Sequence, residues 1–170
     1  MGNDLNKKIG IITFHNSYNC GSMLQAFALQ QVINRLTGRK SEIVDFSNEG
    51  QQKLYSVRQP NDSLKNVIKN IILAPWFKRI ARNYESYERF KKNNFRLSNF
   101  PIHKSADLSD ADYDIVVAGS DQVWNITIED GDDAYFLPWV KLAKKVAYAP
   151  SFGAKNIADF ADDPIRYAKY

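Results

Sequence analysis

A chain of 170 residues, 44% hydrophobic and 25% charged, is long enough to bury one core and is not composed like a disordered or fibrous chain. A net charge of +4 is mild and gives no ground for a nucleic-acid partner. A single cysteine, Cys20, excludes an intramolecular disulfide and a cysteine metal cluster.

The chain starts on the polar stretch "MGNDLNKK", and the apolar "IGIITF" after it is too short for an export or membrane-spanning segment. Asn6 stands where the myristoylation pattern needs Ser or Thr. A reducing cytoplasm is therefore the expected setting. The run "KKIGIITF" (7–14) predicts a buried parallel strand, left through the polar loop "HNSYNCG". The next stretch carries Ala26, Leu29, Val32, Ile33 and Leu36 at helical spacing. Ser22 is its predicted N-cap and Gly38 its terminator. "SEIVDF" (41–46) predicts a second strand and completes a βαβ unit.

Residues 47–62 show no period and read as loop. A helix follows with Leu64, Val67, Ile68, Ile71 and Ile72 on one face, ended by Pro75. The helix 76–96 comes next, with Phe77, Ile80, Ala81, Tyr84 and Tyr87 inward and its basic residues outward. From Trp76 to Lys104 there are eight Lys or Arg against only Glu85 and Glu88. That bias suits either docking on an anionic membrane surface or an ordinary solvated face. "YDIVVAG" (113–119) and "KKVAYAPSFG" (144–153) predict two further strands, and the last fifteen residues begin a helix. The expected fold is α/β: a Rossmann-like, doubly wound, mostly parallel sheet with helices between its strands.

In such sheets ligands gather beyond the carboxyl ends of the strands. Three polar loops should leave the sheet at that edge and face one cleft. The first supplies His15, Asn16, Asn19, Gly21 and Ser22, the second Gly119, Ser120, Asp121, Gln122, Trp124 and Asn125, and the third Ser151. Gly21 and Ser22 open a helix, where backbone N–H groups suit an anion, although neither G-x-G-x-x-G nor a P-loop lysine is present. His15 at a strand end fits a ligand contact or a loop hydrogen bond equally. Cys20 at a helix start has the setting of a lowered thiol pKa but no His or Asp partner in the sequence. Asp121 is the one carboxylate of the second loop, suited to deprotonating a hydroxyl or to capping a short helix near Val123. Trp124 suits stacking on a sugar face or packing under a loop.

The segments "HNSYNCGSMLQAFALQ", "YDIVVAGSDQVWN", "AYF" and "KKVAYAPSFG", in this order, resemble the polysaccharide pyruvyl transferase family over about residues 8 to 155. The most telling is Gly-Ser-Asp-Gln-Val-Trp-Asn after an apolar strand. Cys20 departs from the pattern, where the family commonly has Tyr before the Gly. The resemblance implies a transferase that carries the enolpyruvyl group of phosphoenolpyruvate to two hydroxyls of a cell-surface glycan or its lipid-linked precursor. The product is a pyruvate ketal and the donor is a substrate, so no cofactor and no metal is called for. Asp121 is the expected base, and the remaining loop residues named above are the expected substrate contacts. The resemblance also implies a glycosyltransferase-B-like pair of domains, with residues 1–170 as the N-terminal one, truncated. The half in which basic residues and a histidine meet the donor is then absent, and the chain by itself is expected to be inactive. A non-catalytic binding module and an inactive remnant are the alternatives. The expected location is cytoplasmic, at the inner face of the membrane if the basic helix 76–96 docks there.

Overall fold

The computed structural model describes residues 8–153 and 156–170. Lys7 and the polar start of the chain, on which two of the expectations rest, lie outside the described residues. Four strands form one sheet in the order β2-β1-β3-β4: β1 (Lys8–Ile12), β2 (Ser41–Ile43), β3 (Tyr113–Asp121) and β4 (Lys144–Pro150). Every pairing is parallel, with Ile11 opposite Ile43 on one side and Val117 on the other. The fold is thus α/β with an all-parallel sheet. β1 and β3 are its central strands, so their apolar runs are buried on both faces, as parallel strands require.

Helix α1 (Cys20–Thr37) packs on one face. Its N-cap is Asn19 and not Ser22: Asn19 Oδ1 accepts from the N–H of Gly21 at 2.7 Å and of Ser22 at 3.4 Å. Gly38 ends it in the left-handed region with φ 66°, as its position predicts. The buried stripe is Met23, Ala26 and Leu29 with Gln30, while Val32 and Leu36, expected inward, are exposed. Gln30 is buried because its side-chain amide serves three backbone groups, donating to Arg96 O (2.9 Å) and Ser41 O (3.3 Å) and accepting from Arg96 N. That clip ties α1 to the segment after α4 (Phe77–Asn94), whose Tyr87 and Phe90 complete this layer with Phe95 and Ile11.

Between β2 and α4 the chain is more helical than its sequence predicts. The stretch read as loop contains α2 (Glu49–Leu54), capped by Asn48. It has a single turn and a half, too short for an apolar period to register. Helix α3 (Leu64–Leu73) starts at its Ser63 cap. Pro75 converts its end into the 3-10 turn Ala74–Trp76, which runs directly into α4.

The opposite face of the sheet corrects the doubly wound expectation. No α-helix joins β3 to β4. Residues 122–143 cross over as irregular chain with one 3-10 turn, Asp133–Phe136, and they bury Val123, Tyr135, Leu137 and Val140 against Phe14, Phe46 and Val116. Tyr135 takes edge-on contacts from Phe14 and Phe46 at ring distances of 5.0 and 5.7 Å. The final residues form two short helices, α5 (Ile157–Phe160) and α6 (Pro164–Tyr167). Among the described residues no helix is long and apolar enough to cross a membrane.

Candidate functional site

The strand order reverses between β1 and β3, which opens a crevice at their carboxyl ends. Here three side chains close a ring. Gln25 Nε2 donates to Thr13 Oγ1 (2.8 Å), Thr13 Oγ1 donates to the Ser120 carbonyl (3.3 Å), and Ser120 Oγ donates to Gln25 Oε1 (2.6 Å). The ring spans the exit of β1, the first turns of α1 and the exit of β3. It ties Gly119-Ser120-Asp121, the last residues of β3, to α1 and the exit of β1.

Gly119 is required at that strand end. Its φ is 116°, and a Cβ there would run into the Tyr148 carbonyl oxygen of β4. Asp121 follows with φ 83°, a region that Asp tolerates better than most residues. Its Oδ2 accepts from Ser22 Oγ at 2.8 Å and its Oδ1 from the Gln122 N–H at 2.7 Å. The Asp121 carbonyl accepts from Ser151 N (2.9 Å), and the Ser151 carbonyl accepts from Trp124 N (3.2 Å). Ser22, Asp121, Gln122 and Ser151 are thus brought together at one edge, from the first turn of α1, the end of β3 and the segment just past β4. No helix begins near Val123, so Asp121 is not an N-cap.

A second polar group adjoins the first, past the carboxyl ends of β1 and β2. His15 is fully buried, with Nε2 2.9 Å from Asp45 Oδ1. Asn16 Nδ2 donates to the same carboxylate oxygen (3.1 Å), and Asn16 Oδ1 accepts from Lys91 Nζ (2.6 Å). Burial pushes the Asp45 carboxyl up, but His15, Lys91 and Asn16 outweigh it and hold it below the usual carboxylate range. Tyr18, Gln51, Tyr55 and Lys91 line a cleft of about 400 Å³ above this cluster. Gln51 is buried, yet its Oε1 has no hydrogen-bond partner. Burial raises Asp130, and the charges of Asp121 and Glu129 add to that against a hydrogen bond from Gln51. Burial likewise raises Tyr55, with Asp130 and Asp121 contributing. The Asp121 charge therefore acts on both Asp130 and Tyr55.

A model of the family described as polysaccharide pyruvyl transferase matches residues 19–168. The chain belongs to the polysaccharide pyruvyl transferase family. No curated protein and no solved structure gives a significant match. The family match takes in the β3 exit turn, Ser151 and the start of α1, and begins just after His15 and Asn16.

Within this family member the expected residues divide into groups. Ser22, Gly119, Ser120, Asp121, Gln122 and Ser151 share the crevice. Asn125 is buried beneath it, donating to Gln122 Oε1 (3.0 Å) and accepting from the Thr127 N–H and hydroxyl, so it braces the turn. Trp124 faces away: it stacks on Phe136 at 5.5 Å, contacts Phe152 and donates from Nε1 to Tyr135 O (3.0 Å). The Gly21 and Ser22 N–H groups, expected as an anion cradle, already donate to Asn19. Cys20 is exposed, its sulfur 3.3 Å from the Tyr87 hydroxyl. Sequence reasoning missed Gln25, Asp45, Gln51, Lys91 and Asp130. Lys91 was visible only as one of several cations on a helix. Nothing local singled out the rest.

Proposed function

We propose that this chain forms the acceptor-side wall of a phosphoenolpyruvate-dependent pyruvyl transferase acting on a cell-surface glycan or its lipid-linked precursor. The reaction joins C2 of phosphoenolpyruvate to two sugar oxygens and breaks the C2–O bond to phosphate. Of the two hydroxyl protons released, one converts the methylene to a methyl group and the other leaves with the phosphate. The observation that carries the reading is the Asp121 carboxylate at the crevice, held by the Ser22 hydroxyl and the Gln122 N–H within a family-matched turn. Two neutral donors fix the carboxylate without neutralising it, which suits a base that takes a hydroxyl proton.

Ser22, Gln122 and Ser151 orient the acceptor at this edge, with Asn16 and the adjoining cleft receiving the rest of the sugar. His15, fully buried, is a positioning residue that acts through Asp45. Gly119, Ser120 and Asn125 shape the turn, Asn19 and Gly21 fix the start of α1, and Trp124 supports the turn from below. The facing wall, with the cations that bind phosphoenolpyruvate, belongs in this reading to a second α/β domain in a glycosyltransferase-B-like arrangement. The reading places the reaction in the cytoplasm.

NMR titration of this chain with a panel of acceptor glycans tests the assignment, alongside acceptor-dependent phosphate release from phosphoenolpyruvate by an enzyme that carries both domains of this reading. The expected result is perturbation of the backbone amides of residues 119–125 and 151. Perturbation confined to another surface, with turnover indifferent to Asp121, would overturn it.

A further inference from the structure

Helix α3 is amphipathic, but the face it buries is the polar one. Asn70 is buried against the preceding loop: its Nδ2 donates to Gln59 O (2.8 Å) and Asn61 Oδ1 (2.9 Å), and its Oδ1 accepts from Gln59 N (2.9 Å). The apolar stripe is left outward. Leu64, Ile68, Ile71, Ile72 and Trp76 are between 49% and 77% exposed, too much contiguous apolar surface to be incidental.

Residues 64–82 also hold five cations, Lys65, Lys69, Lys78, Arg79 and Arg82, and no carboxylate. None of the five forms an ion pair among the described residues. Leu73, Trp76, Arg79 and Arg82 share one surface concavity of about 670 Å³, so apolar and cationic groups lie on the same side. A further domain or a second copy would cover the isoleucines, but neither needs five unopposed cations around them. An anionic lipid surface matches both: acyl chains for the stripe, with a partly buried tryptophan at its end, and phosphates for the cations.

We propose that α3 and the first turns of α4 form a peripheral docking face for an anionic phospholipid bilayer. The α3 stripe enters the interface and Lys78, Arg79 and Arg82 lie on the headgroups. The site is coupled to this face through one rigid element. Lys91, fifteen residues along from Trp76, reaches Asn16, so at 1.5 Å per residue the cleft it lines lies about 20 Å along the helix from the docking point.

Co-sedimentation of the chain with vesicles of phosphatidylcholine alone, or mixed with phosphatidylglycerol, decides the matter at low and high salt. The expected result is binding to the mixed vesicles only, weakened but not abolished by salt. A blue shift of Trp emission should accompany it and disappear in Trp76→Phe. Replacing Ile68, Ile71 and Ile72 by Ser should weaken partitioning by about tenfold or more. Arg79→Gln with Arg82→Gln should weaken it by about tenfold or more and remove the preference for the anionic lipid. Every replaced side chain is solvent-facing, and circular dichroism verifies that the fold is kept. Equal binding to neutral and anionic vesicles would overturn the proposal. So would self-association that the serine variants abolish while wild-type protein ignores vesicles.

Discussion

The Ser22 hydroxyl donates to Asp121 at 2.8 Å, across 99 positions of sequence, and joins the first turn of α1 to the carboxyl end of β3. The carboxylate is thereby oriented by a neutral group. If it serves as the base, Asp121→Asn should lower acceptor-dependent turnover by on the order of a hundredfold or more. Asn also tolerates the backbone at φ 83° and keeps the volume, so the melting temperature should hold. Turnover and thermal melting, measured together on an enzyme that carries both domains, separate the roles. A lowered melting temperature with turnover intact would make Asp121 a fold determinant only.

The turn that presents Asp121 depends on Gly119. Gly119→Ala should cost about 3 kcal/mol or more, because φ 116° is closed to a side chain and the Cβ meets the Tyr148 backbone. Urea denaturation reads this directly. A cost below about 1 kcal/mol would mean that β4 yields at that point.

Beneath the crevice, His15 and Asp45 form a pair in which the histidine is fully buried. Asp45→Ala leaves the ring's Nε2 without its partner, and breaking a buried pair on one side costs about 3 kcal/mol. The expected loss is thermodynamic first. Calorimetry on Asp45→Ala and on Asp45→Asn should rank them, with Asn the milder because it can still accept a hydrogen bond from the ring. Equal melting temperatures for both variants and wild type would remove the pair from the folding account.

At the opposite edge, Asp110 Oδ2 accepts from the N–H groups of Lys141, Leu142 and Ala143. Burial pushes this carboxyl up, but the three donors outweigh it and leave it below its ordinary value. A depressed folded pKa stabilises the protein above the unfolded value of about 3.9, and the contribution is lost as pH falls through the folded one. Asp110→Ala should therefore cost about 1–3 kcal/mol at neutral pH, with the gap to wild type narrowing in acid below the unfolded value. Denaturation curves across that range test the sign. A gap that widened in acid would contradict it.

Much of this architecture is local and so was legible in the sequence. The runs "IGIITF" and "YDIVVAG" announce strands buried on both faces, Gly38 ends α1 where its φ of 66° demands a glycine, and Pro75 interrupts a helix because it lacks an N–H. Each signal acts within a turn or two of chain. The order β2-β1-β3-β4 was beyond it, and that order decides which loops meet. Ser22 reads locally as a helix cap, yet Asn19 takes the cap and frees the Ser22 hydroxyl for Asp121. Lys91 reads as one cation among eight until α4 lays it on Asn16, and Gln25 reads as helix surface until Thr13 and Ser120 close on it. Helix α3 shows the limit from the other side: its period reveals an apolar stripe, but only the hydrogen bonds of Asn70 decide that the stripe faces out. Periodicity and propensity fix what an element is. Its partners are chosen by backbone and polar groups that must find one another over tens of residues, and only the folded chain settles that choice.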